Sequence, residues 1–177
     1  MVHTVVRKEW EVGFLAAYLV AKFPAAVVIH RVPMGDIPPP ITLDLGPAAG
    51  AKTFRPSRPV ADAIVIQDQV LYLIEGKIWD INRAIGQALY YSRLIDTTAE
   101  LKQYRDLPRV LQVVSARAPP WASSTHLFPG IDFVQWTTPD VGPYLAKMES
   151  YWSPVARAGR QQRREKMQAM GWTHPGE

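Results

Sequence analysis

Three charged side chains stand alone inside two apolar runs, and that pattern limits what the chain can become more than any other feature. The runs, Val60–Gln67 and Val70–Trp79, are rich in aliphatic and β-branched residues and are separated by Asp68-Gln69. They read as two strands of a hairpin, although Asp-Gln is not the preferred Asn-Gly or Asp-Gly turn. Asp62 is the only charge in the first run, and Glu75 and Lys77 are the only charges in the second. Strand alternation puts Glu75 and Lys77 on one face. A two-residue turn pairs Gln67 with Val70, and counting back sets Asp62 opposite Glu75. A longer loop or a bulge shifts that register by one step.

The residues that share this face, Ile64, Ile66, Leu71 and Leu73, are apolar. A cross-strand ion pair on a solvated sheet face is common and nearly neutral in energy, but such a face carries polar neighbours. Burying charges costs several kcal/mol each unless they are paired or bind a metal, so this convergence favours a functional site. Two carboxylates beside an ammonium suit a hard divalent cation, which takes oxygen ligands and completes its shell with water and substrate phosphate. Such a cation acidifies water and opposes the charge that develops on a phosphodiester. A lysine there can hydrogen-bond the attacking water or a phosphate oxygen.

The hairpin lies within an alternating series of elements. Arg7–Phe23 has a wide apolar face at helical spacing and is closed by Pro24. Ala25–Val32 reads as a buried strand. The proline-rich stretch Met34–Pro59 follows as a long connection, with only Ile41–Leu45 resembling a strand. Asp80 is set to cap a helix running to about Ile95, with Ile81, Ile85, Leu89 and either Ser92 or Arg93 along one side. Strands are expected over Arg109–Ala116 and Ile131–Trp136, a loop over Ala118–Gly130, and helices over Val141–Trp152 and Val155–Gly171. The class is α/β, with helices covering a mixed sheet.

Asp62, twelve intervening residues and then Glu75-Gly76-Lys77 on the second strand of a hairpin resemble the motif of the PD-(D/E)xK nuclease superfamily. Ala61 stands where the name-giving proline would be. The following helix carries Gln87-Ala88-Leu89-Tyr90-Tyr91, similar to the Gln-x-x-x-Tyr element of the exonuclease and Holliday-junction-resolvase-like branch. The resemblance implies a restriction-endonuclease-like αβββαβ core, a mixed central sheet flanked by helices, with the C-terminal helices as an extension. It implies a Mg²⁺- or Mn²⁺-dependent deoxyribonuclease in which Asp62 and Glu75 hold the metal, with the backbone carbonyl beside Glu75 as a further ligand. Lys77 would position the attacking water, Gln87 would assist, and Glu11 or Glu9 on the opening helix would supply another carboxylate near the metal.

Composition bears on partners. A net charge of +4 is a mild basic excess, concentrated at Arg157, Arg160, Arg163, Arg164 and Lys166. That segment reads either as a solvated helical tail or as an arm that binds DNA phosphates. The division expected is a nuclease-like domain over 1–152 and a basic helical tail over 153–177. The absence of cysteine excludes disulfides, thiolate zinc sites and a cysteine nucleophile. The four histidines have no ligand spacing, and no Gly-rich phosphate loop appears. Trp121, Trp136, Trp152 and Trp172 read as core or interface residues. With no signal peptide or membrane span in view, a cytoplasmic protein is expected, acting alone, as a homodimer or in a larger nucleoprotein or phage assembly. Two alternatives stay open: a non-catalytic module of phage-particle assembly, and a nuclease subunit of a recombination or transposition machine that acts only with a partner.

Overall fold

The structure, a computed structural model, describes residues 2–36, 46, 49, 57–117 and 128–170, with the backbone alone for 2–9. The expected short strand at 41–45 and most of the loop around His126 lie outside these residues, as do Trp121 and Trp172. The elements are α1 (Val2–Lys22), β1 (Val27–Pro33), β2 (Val60–Gln67), β3 (Val70–Lys77), α2 (Ile81–Ser92), β4 (Arg109–Ser115), β5 (Ile131–Gln135), α3 (Val141–Trp152) and α4 (Pro154–Ala169). Two short 3₁₀ turns, Ile95–Thr97 and Ala99–Tyr104, link α2 to β4. No helix among the described residues is long and apolar enough to cross a membrane.

The strands form one open sheet in the order β1-β2-β3-β4-β5. β1, β2 and β3 are antiparallel neighbours, whereas β3, β4 and β5 run parallel. That change of sense follows from the connections. A two-residue turn reverses the chain between β2 and β3, while a helical crossover returns it to the same end between β3 and β4. The β2–β3 turn is unusual in chemistry but regular in shape. Asp68 and Gln69 both adopt positive φ, 51° and 60°, as a primed two-residue turn requires, and neither is glycine. Gln67 therefore pairs with Val70, and the ladder runs back to Ala63 opposite Ile74.

Asp80 caps α2, its Oδ1 accepting from the Arg83 N–H at 3.2 Å. The buried stripe of α2 is Ile81, Ala84, Ile85, Ala88 and Tyr91, and Leu89 is exposed. It is therefore rotated from the expected line through Leu89, because the small side chains of Ala84 and Ala88 let the helix approach the sheet closely. This stripe packs in one apolar cluster with Ile64, Leu71, Leu73 and Val113. α1 buries Phe14, Leu15, Tyr18 and Leu19. Its Tyr18 hydroxyl donates to Gln112 Oε1 of β4 at 2.7 Å, and Gln112 Nε2 donates to Asp132 Oδ2 of β5 at 2.7 Å. Burial, then the charge of Asp132, pushes the Tyr18 hydroxyl up to about 12, so it stays a proton donor in this chain of bonds.

Residues 1–138 and 139–177 are separate compact units. The second unit holds α3 and α4. In that unit Ser153 caps α4 through Oγ to the Ala156 N–H at 3.2 Å, and Pro154 opens the helix. α4 buries none of its residues and carries the basic cluster. The Arg160 guanidinium lies 3.9 Å from the Tyr151 ring centroid and donates to the Tyr151 carbonyl, tying α4 to the end of α3.

Candidate active site

The site forms where the ladders around β2 open. Pairing of β2 with β3 stops at Ala63 opposite Ile74, one step before Asp62 and Glu75. Side chains then take over from the ladder. The Asp62 N–H donates to Glu75 Oε1 at 3.0 Å, and the Gly76 N–H donates to Asp62 Oδ2 at 3.1 Å. Each carboxylate thus satisfies a backbone donor on the neighbouring strand, which fixes both side chains across the hairpin. The expected juxtaposition of Asp62 and Glu75 is present in this register.

Lys77 closes the group. Its Nζ donates to Asp62 Oδ2 at 2.9 Å and to the Gly76 carbonyl at 2.9 Å, and lies 4.0 Å from Glu11 Oε2. Glu11 reaches the site because Leu15, one turn further along α1, packs on Gly76. A Cβ at Gly76 would stand 3.1 Å from Leu15 Cδ1 and 3.3 Å from Leu15 Cβ. A side chain at this strand position would therefore push α1 away from the motif. Glu9 is the other opening-helix candidate, and its side chain is among those not described.

Burial sorts the three charges. Glu75 is wholly buried and Lys77 is 8% exposed, whereas Asp62 is partly open to a cleft. Burial first, and the charge of Asp62 second, drive the Glu75 carboxyl up to about 9, against the opposing Asp62 N–H and the Lys77 charge. For Lys77 burial alone would lower the pKa. The Asp62 charge and hydrogen bond, with smaller help from Glu11 and Glu75, outweigh it and keep the ammonium protonated. Without a bound cation the resting group is thus a neutral Glu75 beside an Asp62–Lys77 ion pair.

Gln87 lies on α2 and donates from Nε2 to the Tyr91 hydroxyl at 3.1 Å. Burial raises the Tyr91 hydroxyl, which also feels Glu75, Asp62 and Lys77, so this end of α2 shares the electrostatics of the site. Glu75 Oε2 and Gln87 Oε1 are buried oxygens with no hydrogen-bond partner among the described residues, and on the neutral Glu75 carboxyl Oε2 is the oxygen that carries the proton. Buried polar atoms are satisfied in the great majority of cases, so these oxygens leave room for a water, a donor or a cation from outside the chain. A cleft of about 330 Å³ opens onto the site and is lined by Glu11, Leu15, His30, Arg31, Asp62 and Lys77 among others. His30 and Arg31 were not among the residues expected here. The run Ala25–Val32 reads as a buried strand, whereas β1 is an edge strand on which both residues are exposed.

Among the described residues no three His, Asp or Glu side chains stand close enough to hold a metal ion by themselves. A Mg²⁺-type ion does not need three, since one or two carboxylates with water and substrate phosphate are its usual shell. The donor set fits. Asp62 Oδ2 and the Gly76 carbonyl converge on one positive group already, the Lys77 ammonium, and Glu75 Oε2 is an oxygen without a partner.

No protein-family model, curated protein or solved structure matches this chain.

Proposed function

We propose that the chain is a metal-dependent nuclease of the PD-(D/E)xK type that hydrolyses DNA phosphodiester bonds. One observation carries the reading. A buried glutamate with an orphan oxygen stands on an otherwise apolar sheet face, bonded across the hairpin to an aspartate that is itself paired with a buried lysine. A merely structural set of charges is expected on a solvated sheet face, whereas Glu75 and Lys77 are buried among apolar side chains. The element order α1-β1-β2-β3-α2-β4, with an antiparallel meander running into a parallel crossover, agrees with a restriction-endonuclease-like αβββαβ core.

Asp62, Glu75 and the Gly76 carbonyl are the groups that would hold Mg²⁺ or Mn²⁺, which supplies Lewis acidity beside the scissile phosphate. Glu75 would serve as a ligand only in its ionised form. The Lys77 ammonium would use its Nζ–H donors to orient the attacking water or to steady a phosphate oxygen. Glu11 keeps negative charge near Lys77. Gln87 would assist from α2, where the Tyr91 hydroxyl holds its amide in place. In the second unit the exposed cations of α4 add salt-dependent affinity for the DNA backbone.

One observation favours a second reading, a non-catalytic nuclease-fold module of an assembly or a subunit that needs its partner. Lys77 Nζ already takes up Asp62 Oδ2 and the Gly76 carbonyl, two of the oxygens that a cation would need. Binding of Mn²⁺ to the purified protein, compared between wild type and Asp62→Ala, separates the two. A nuclease site binds the ion in the wild type and loses it in the variant. Absence of site-bound Mn²⁺ in both would favour the module.

A further inference from the structure

The cleft contains a residue whose backbone is out of place. Arg31 has φ of 53°, in the left-handed region that glycine occupies readily and a long side chain does not. Among described residues the only other non-glycine positions with positive φ are Asp68 and Gln69, where the tight turn demands it. Arg31 is instead within strand β1. The β1–β2 pairing passes from His30 opposite Ala63 to Val32 opposite Ala61, and the two residues skipped between them are Arg31 and Asp62. The kink thus falls beside the site aspartate and frees its strand on that side. Strained backbone persists where surrounding structure over-determines it, and it gathers at functional sites.

If the bend alone mattered, glycine would serve it better. The side chain found there is an exposed guanidinium that lines the same cleft as Asp62, Lys77 and Glu11. Asp62 is engaged by Lys77, and no carboxylate of the described residues forms an ion pair with Arg31. A planar guanidinium offers paired N–H donors that match a phosphate in two-point contact. We propose that Arg31 is a substrate-binding residue of this cleft, held by the left-handed kink of β1 to grip a backbone phosphate of the nucleic acid beside the one that is cut. This rests on the nuclease reading above and assigns to it a phosphate-binding position that the motif itself does not contain.

The test is binding of a fluorescein-labelled DNA oligonucleotide to the full chain, read by anisotropy with Ca²⁺ in place of Mg²⁺ across a salt series. Wild type, Arg31→Gly and Arg31→Lys are compared, with thermal melting of each. Arg31→Gly is expected to weaken binding about tenfold, as for loss of one charged hydrogen-bonded contact. It should also reduce the slope of log K against log salt by about 1, the signature of one lost phosphate contact. Its melting temperature should equal or exceed that of wild type, because glycine relieves the strain. Arg31→Lys should keep the salt slope but recover only part of the affinity. Equal affinity and slope for wild type and Arg31→Gly would overturn the assignment while leaving the nuclease reading intact. A lower melting temperature for Arg31→Gly, with its slope unchanged, would assign the kink to stability instead. Failure of the wild type to bind DNA at all would remove both.

Discussion

Replacing Glu75 by glutamine should flatten the dependence of stability on pH in the metal-free protein. The folded carboxyl is held at about 9 against an ordinary value of 4.5. Between these values the unfolded chain has released this proton while the folded chain keeps it, so the folded state binds more protons. Stability from this group is complete below 4.5 and is lost as pH rises through about 9. The slope approaches ~1.4 kcal/mol per pH unit, which amounts to a loss of about 3 kcal/mol by pH 7 for this one side chain. Against a typical total of ~5–15 kcal/mol, that is large enough to resolve. Glutamine keeps the shape and the acceptor for the Asp62 N–H but cannot ionise. Urea denaturation in EDTA, repeated from mildly acidic to alkaline pH, should show wild type losing stability relative to Glu75→Gln throughout the window. Parallel curves for the two proteins would refute the reasoning, because Glu75 would then not be titrating out of a buried neutral state.

Three further outcomes follow from the same geometry. Glu75 must ionise to ligate a cation, so Mg²⁺ or Mn²⁺ uptake near neutral pH should release close to one proton per site. Calorimetry in two buffers of different ionisation enthalpy reads this directly, and no difference between buffers would contradict it. Replacing Asp68-Gln69 with Asn-Gly relieves two residues at positive φ, and the urea midpoint should rise by the equivalent of about 0.5–1 kcal/mol with activity unchanged. Gly76→Ala forces a methyl to within 3.1 Å of Leu15 and should cost about 1–3 kcal/mol in the same assay. Loss of the α1 contact would also move Glu11, so metal-dependent activity should fall more than stability does.

Much of the site was legible because it lies on one hairpin. Two strands, a two-residue turn and strict alternation were enough to bring Asp62 to Glu75, and the apolar neighbours Leu71 and Leu73 pointed to Glu75's burial. Asp80 could be read as a cap, since its chemistry is local. Features that depend on long-range packing were harder to read. Leu89 looked equivalent to Ile85 by periodicity, but the close approach allowed by Ala84 and Ala88 turns Tyr91 inward instead. Arg58 carries no local signal of burial, yet it lies inside the fold, donating to the carbonyls of Pro33 and Gly35 and paired with Glu100. Arg31 shows the same limit. A positive φ at arginine is set by its neighbours across the sheet, not by its own propensity.

A metal-dependent phosphodiesterase centre built from Asp62, Glu75 and Lys77 is tested by cleavage of mixed linear, circular and branched DNA with Mg²⁺ or Mn²⁺. Wild type, Glu75→Gln and Lys77→Ala, each checked for intact folding, are compared in one series. The account predicts cleavage by the wild type that requires the metal, and a loss of at least about a hundredfold in each variant, the scale of removing a group that acts on the transition state. Cleavage that survived both substitutions would contradict it.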